Sequence, residues 1–98
     1  NRLASVKGLE NLTKLERLEL SSNQLTSVKG LEKLTQLKTL ELSSNKLIDV
    51  KGLEKLTQLK RLFLSGNPDL TKSQIDELEK GLPNCKIFRV PFKEFIGK

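Results

Sequence analysis

Histidine, methionine, tryptophan and tyrosine are absent from this 98-residue chain, and cysteine occurs once, at Cys85. With no histidine and one thiol, the chain cannot build a zinc site, a Ser-His pair or a Cys-His pair from its own residues. A lone cysteine also excludes an intrachain disulfide. No glycine-rich phosphate loop is present. These gaps argue against most catalysis, and no cofactor or metal is expected. Apolar residues never run on long enough to form a transmembrane segment or a secretory signal. The first residue is Asn1 rather than methionine, so the chain reads as a piece of a longer protein, and the missing signal says nothing about its parent.

Aromatic content is low, with phenylalanine its only source, so the stacking residues of a nucleic-acid surface are largely missing. The net charge of +6 would otherwise invite that reading. Its distribution opposes it. Lys7, Lys29 and Lys51 share one repeat position, and Glu10, Glu32 and Glu54 follow three residues later. Opposite charges therefore interleave into a solvated face, and no nucleic-acid partner is expected.

The dominant positive feature is a repeat. Asn1, Asn23, Asn45 and Asn67 recur every 22 residues, and neighbouring units agree at 16 of 22 positions. Such regularity describes a stacked solenoid, in which each unit is one coil and contacts only its neighbours. Within a unit the pattern is Leu-x-x-Leu-x-Leu-x-x-Asn-x-Leu. It occurs as Leu15, Leu18, Leu20, Asn23, Leu25 and again as Leu37, Leu40, Leu42, Asn45, Leu47. It returns as Leu59, Leu62, Leu64, Asn67, with Leu70 one residue late. The Leu-x-Leu step has the period of a short strand, and successive coils make the strands parallel. The asparagines suit turns and are expected to stack as an inward ladder on backbone polar groups. Val6, Leu9, Leu12 and Leu15, spaced by three, predict a tight 3₁₀-like return, with Gly8, Gly30 and Gly52 supplying the bend.

This pattern resembles the leucine-rich repeat family over nearly the whole chain. The 22-residue period and short return look most like the compact class of bacterial internalins and of a eukaryotic phosphatase-regulator subfamily. The resemblance implies an α/β fold: a right-handed, curved solenoid with a parallel sheet on its concave side, and a protein-binding role. Residues 1–66 hold three repeats and residues 67–98 the C-terminal capping helix, last strand and tail. Thr71 to Gly81 reads as the helix: Thr71 and Gln74 form a capping box, Ile75, Leu78 and Leu82 face inward, and Gly81 with Pro83 stops it. Leu82, Cys85 and Ile87 repeat the Leu-x-x-Leu-x-Leu spacing, which places Cys85 in the column of Leu18, Leu40 and Leu62 as a small buried filler. Phe92, Phe95 and Ile96 are expected to fold over the last coil.

Strand alternation chooses the candidate contacts. With Leu18 and Leu20 inward, Arg17, Glu19 and Ser21 face the concave side, followed by Thr39, Glu41 and Ser43, then Arg61, Phe63 and Ser65. The last strand adds Asn84, Lys86 and Phe88. Arg17, Glu19, Thr39, Glu41, Arg61, Phe63 and Lys86 are the candidate partner-binding residues. Phe63 reads equally as a binding anchor beside Arg61 and as a packing partner of Phe88 or the tail. Four strands span only about 15 Å, so the isolated face is expected to bury less than the roughly 800 Å² of a standard interface and to bind weakly. The glycosylation pattern at Asn11 to Thr13 reads as chance, because lysine stands there in the other repeats. Non-enzymatic protein binding is the leading function. The alternatives are a scaffold that self-associates through the uncapped N-terminal edge, an engineered consensus-like array, or the targeting domain of a larger bacterial effector.

Overall fold

The structure is a computed structural model that describes residues 6–89. The expectations for Asn1 and for Phe92, Phe95 and Ile96 fall outside those residues. Four three-residue strands, β1 (Arg17–Glu19), β2 (Thr39–Glu41), β3 (Arg61–Phe63) and β4 (Lys86–Phe88), form one parallel sheet in chain order. Each of the first three coils returns through a 3₁₀ segment, at Leu9–Asn11, Leu31–Lys33 and Leu53–Lys55. One α-helix, α1 (Lys72–Gly81), replaces the 3₁₀ segment in the last described coil. No helix among the described residues is long and apolar enough to cross a membrane.

Leucine fills the space between sheet and return segments. Leu25, Leu31, Leu34, Leu37, Leu40 and Leu42 are fully buried, as are Leu47, Leu53, Leu56, Leu62 and Leu64 in the next coils. Every coil thus presents one layer of leucines that only a neighbouring layer can cover. The first described coil is less covered: Leu9, Leu15 and Leu18 are half-buried, and Leu12 is 46% exposed. On the described residues, β1 has one strand neighbour.

The asparagine ladder forms as the period predicts. Asn45 Nδ2 donates to Leu20 O in the preceding coil and Leu42 O in its own, both at 3.0 Å, while its Oδ1 accepts from Leu25 N–H at 3.0 Å. Asn67 repeats the arrangement on Leu42 O, Leu64 O and Leu47 N–H. Asn23, Asn45 and Asn67 are all buried, so these bonds satisfy backbone that water does not reach. The extra residue after Asn67 has a reason in the same scheme. No asparagine follows one coil later, and Leu70 N–H instead donates to Asn67 O, closing the turn within its own coil.

The residue before each asparagine is left-handed: Ser22 at φ 62°, Ser44 at 60° and Gly66 at 76°. A Cβ on Gly66 would stand 3.2 Å from the Ser44 backbone nitrogen, a contact tighter than nearly all real ones. Gly66→Ala adds that contact to left-handed strain and is expected to destabilise by about 1–2 kcal/mol, read from the urea midpoint.

The glutamates at the return segments are structural, not simply solvated. Glu10, Glu32 and Glu54 each fold back so that Oε1 accepts the N–H of the glycine two residues earlier, at 2.7, 2.8 and 2.9 Å. Those glycines are left-handed, which turns their N–H toward the carboxylate. Hydrogen bonds from backbone N–H groups, its own foremost and then Gly30, hold the Glu32 carboxyl below its ordinary value, and Glu10 is held down the same way. Their contribution to stability is complete above the ordinary glutamate pKa and is lost as pH falls through the lowered folded values. Glu32→Gln keeps an oxygen acceptor but cannot titrate. Its acid unfolding curve is therefore expected to be shallower than wild type below about pH 4.5.

The capping helix starts as the sequence predicts. Thr71 Oγ1 accepts from Gln74 N–H and Gln74 Oε1 from Thr71 N–H. Ile75, Leu78 and Leu82 are buried in the core, and the helix packs on the third coil's 3₁₀ segment. Gly81 is not a left-handed cap. It remains helical, and a Cβ there would meet the Glu54 Cβ at 3.0 Å, so glycine permits close approach to the third coil.

Candidate functional site

The concave sheet carries two outward columns fixed by strand register. Arg17, Thr39, Arg61 and Lys86 are successive Cα partners in the first, and Glu19, Glu41, Phe63 and Phe88 in the second. All seven candidate residues therefore lie on one face, with Leu18, Leu40, Leu62 and Ile87 directed into the core between the columns. Arg17, Glu19, Arg61 and Lys86 are exposed, while Thr39, Glu41, Phe63 and Phe88 are half-buried.

Two corrections concern the last strand. Ile87, not Cys85, pairs with Leu62, so Cys85 stands just before β4 and outside the strand-leucine column. The slip is two residues, which preserves the face of every side chain and leaves Lys86 and Phe88 concave. Asn84 lies in the turn ahead of the strand and does not extend the sheet. Cys85 still packs against the core, and burial pushes its thiol up to about 11, so it stays protonated and unreactive at neutral pH.

Phe63 packs on Phe88. Their ring centroids are 4.5 Å apart and their planes differ by 7°. Lys86 Nζ lies 5.6 Å from the Phe88 ring centroid. At the other end of the face, Arg17 Nε donates to Glu19 Oε2 at 3.1 Å, in a pair too exposed to add much stability. Glu41 Oε1 accepts from Ser43 N–H at 3.0 Å. The site offers directional charge and an aromatic platform.

Residues 35–84 match the model for leucine-rich repeats in two copies, and residues 11–34 match a second leucine-rich repeat model. The chain belongs to the leucine-rich repeat family. Its repeats are similar to those of solved bacterial structures. An internalin (InlF) from Listeria monocytogenes superposes with a TM-score of 0.79 at 29% identity, over 98% of this chain and 29% of the internalin. A leucine-rich repeat protein of Leptospira interrogans gives 0.80 at 34% identity, over 89% and 23%. Internalin C2 of Listeria monocytogenes gives 0.79 at 31% identity, over 90% and 37%. This leucine-rich repeat chain thus spans less than two-fifths of the length of each. A comparison with curated proteins found no match. Leucine-rich repeat folds commonly serve as protein-interaction modules, and the parallel sheet with short helical pieces is the shared architecture.

A groove of about 640 Å³ between α1 and the third coil had no counterpart in the sequence reading. Asp49, Lys51, Glu54, Gln74, Glu77 and Lys80 line it, with mixed charge. Gln74 bridges its margin by donating Nε2 to Ile48 O at 2.9 Å. Only the approach of a helix to a non-adjacent segment creates it, and no local spacing signals such a meeting.

Proposed function

We propose that this chain is a non-enzymatic module that binds a protein partner through its concave sheet, with Arg17, Glu19, Thr39, Glu41, Arg61, Phe63 and Lys86 as contacts. The observation that carries the reading is the variation of side chains on an invariant frame. Inward positions are leucine or isoleucine in every strand, whereas the outward columns change from Arg to Thr to Arg to Lys and from Glu to Glu to Phe to Phe. Packing demands sameness inward, and recognition is the use for difference outward. Residues 1–66 then act as the recognition repeats and residues 67–98 as their cap.

Affinity capture tests the face. A Glu41→Lys, Phe63→Ala variant is expected to lose a partner captured by wild type by about tenfold or more, since it reverses one contact and removes an aromatic anchor. Lys29→Glu, Lys51→Glu, which changes exposed lysines outside the sheet, is expected to capture normally. Circular dichroism verifies that both fold. Equal capture by all three proteins sinks the concave-face reading. Concentration-dependent dimers with no captured partner would favour self-association, for which the half-buried leucines of the first described coil are the supporting observation.

A further inference from the structure

We propose that the C-terminal half of the concave sheet takes an acidic protein segment that places a carboxylate beside an apolar, preferably aromatic, side chain. This deepens the concave-face reading and rests on it. Four residues form a two-by-two block: Arg61 and Lys86 are register partners, and two residues along, so are Phe63 and Phe88.

Like charges directly opposite on neighbouring strands repel, and the sheet contains two such pairs. They are treated differently. Glu19 and Glu41 are partners, yet Glu19 accepts from the Arg17 guanidinium and Glu41 from Ser43 N–H. The acidic pair is compensated from within. Arg61 and Lys86 have no acid in ion-pair contact among the described residues, whose ion pairs involve Arg17, Lys38, Lys72 and Arg89. Among the described residues, the Phe88 ring offsets Lys86, at 5.6 Å. A partner carboxylate between Arg61 and Lys86 relieves their repulsion and gains two charge-assisted contacts.

The aromatic half of the block fixes the rest of the ligand. Phe63 and Phe88 stack, and both remain half-exposed, so they present an apolar platform bordered by the two cations. Along a strand, residues two apart are separated by about 6.6 Å. A partner segment in extended form repeats that spacing on one face, so its carboxylate and its aromatic ring reach the cations and the platform together.

Two short soluble peptides test this: one with phenylalanines interspersed among glutamates, and one in which lysines replace the glutamates. Backbone amide shifts of the 98-residue protein provide the readout. The glutamate peptide is expected to shift residues 61–63 and 86–88 saturably, and more weakly as salt rises. An Arg61→Glu, Lys86→Glu variant, altered only at exposed positions, is expected to bind it about tenfold or more weaker and to gain affinity for the lysine peptide. If the lysine peptide shifts the same wild-type residues as strongly, the acidic-partner inference is overturned while the concave face stands. Failure of the glutamate peptide to shift that block also overturns it, and the capture experiment then judges the face separately.

Discussion

Asn45→Ala is expected to lower stability by about 3 kcal/mol or more, equivalent to a fall in Tm of roughly 12–24 °C for a domain of this size. Alanine removes an acceptor from Leu25 N–H and a donor from both Leu20 O and Leu42 O. Those groups lie at a buried turn, where each unpaired partner costs about 1–3 kcal/mol. The loss falls on two coils at once, because one side chain serves both. A substantial share of a total that is typically about 5–15 kcal/mol would go. Asn45→Asp discriminates between loss of bonding and loss of volume. It keeps the acceptor for Leu25 but turns a carboxylate toward two carbonyl oxygens, and should be at least as damaging near neutral pH. Thermal unfolding followed by circular dichroism checks both. A shift of only a few degrees for Asn45→Ala would mean that the ladder is not the structural element its geometry implies.

The second large effect concerns the leucine layer. Leu40→Ala is expected to cost about 3–5 kcal/mol, because the side chain is fully buried at the centre of β2, with leucine layers on both sides to resist collapse. Leu18→Ala, half-buried in β1, should cost less, and Leu12→Ala, 46% exposed, about 1 kcal/mol or below. The ordering matters more than any single value. It measures how far cooperativity extends along the stack, since a solenoid's stability is a sum of coil and interface terms. Equal losses at Leu18 and Leu40 would overturn this layered account.

Both effects rest on features that the sequence exposes directly, and the reason is repetition. Asn45 and Leu40 recur in phase with their neighbours, so spacing alone assigns their direction and their partners. The capping box of Thr71 and Gln74 was equally legible, because both of its bonds are local. What escaped the sequence has a common physical origin. Glu32 is as natural on a solvated face as in a bond to Gly30 N–H, and its residue type cannot tell these apart. Cys85 fits the leucine spacing, but Leu82 belongs to the end of the helix, so the frame begins two residues later. Phe63 was visible as an outward aromatic. Its ring found Phe88 through the register of β3 and β4, which depends on the length of the cap between them. The concave columns could be assigned to a face in advance, whereas the uneven compensation of their charges became visible only with side chains in place.

The asparagine ladder also has a direction in time. Leu25 leaves the ribosome twenty residues before Asn45, the side chain that accepts its N–H. At common rates of synthesis that interval is roughly 1–4 s, long compared with the closure of a short loop. A coil therefore waits, open at its turn, for the one behind it to arrive. Leu47 waits the same twenty residues for Asn67. Leu70 does not wait at all, because Asn67 O precedes it and is already in place. Each of these turns is thus completed by the coil that follows it in the chain, whereas the residue inserted after Asn67 lets the last turn close on itself.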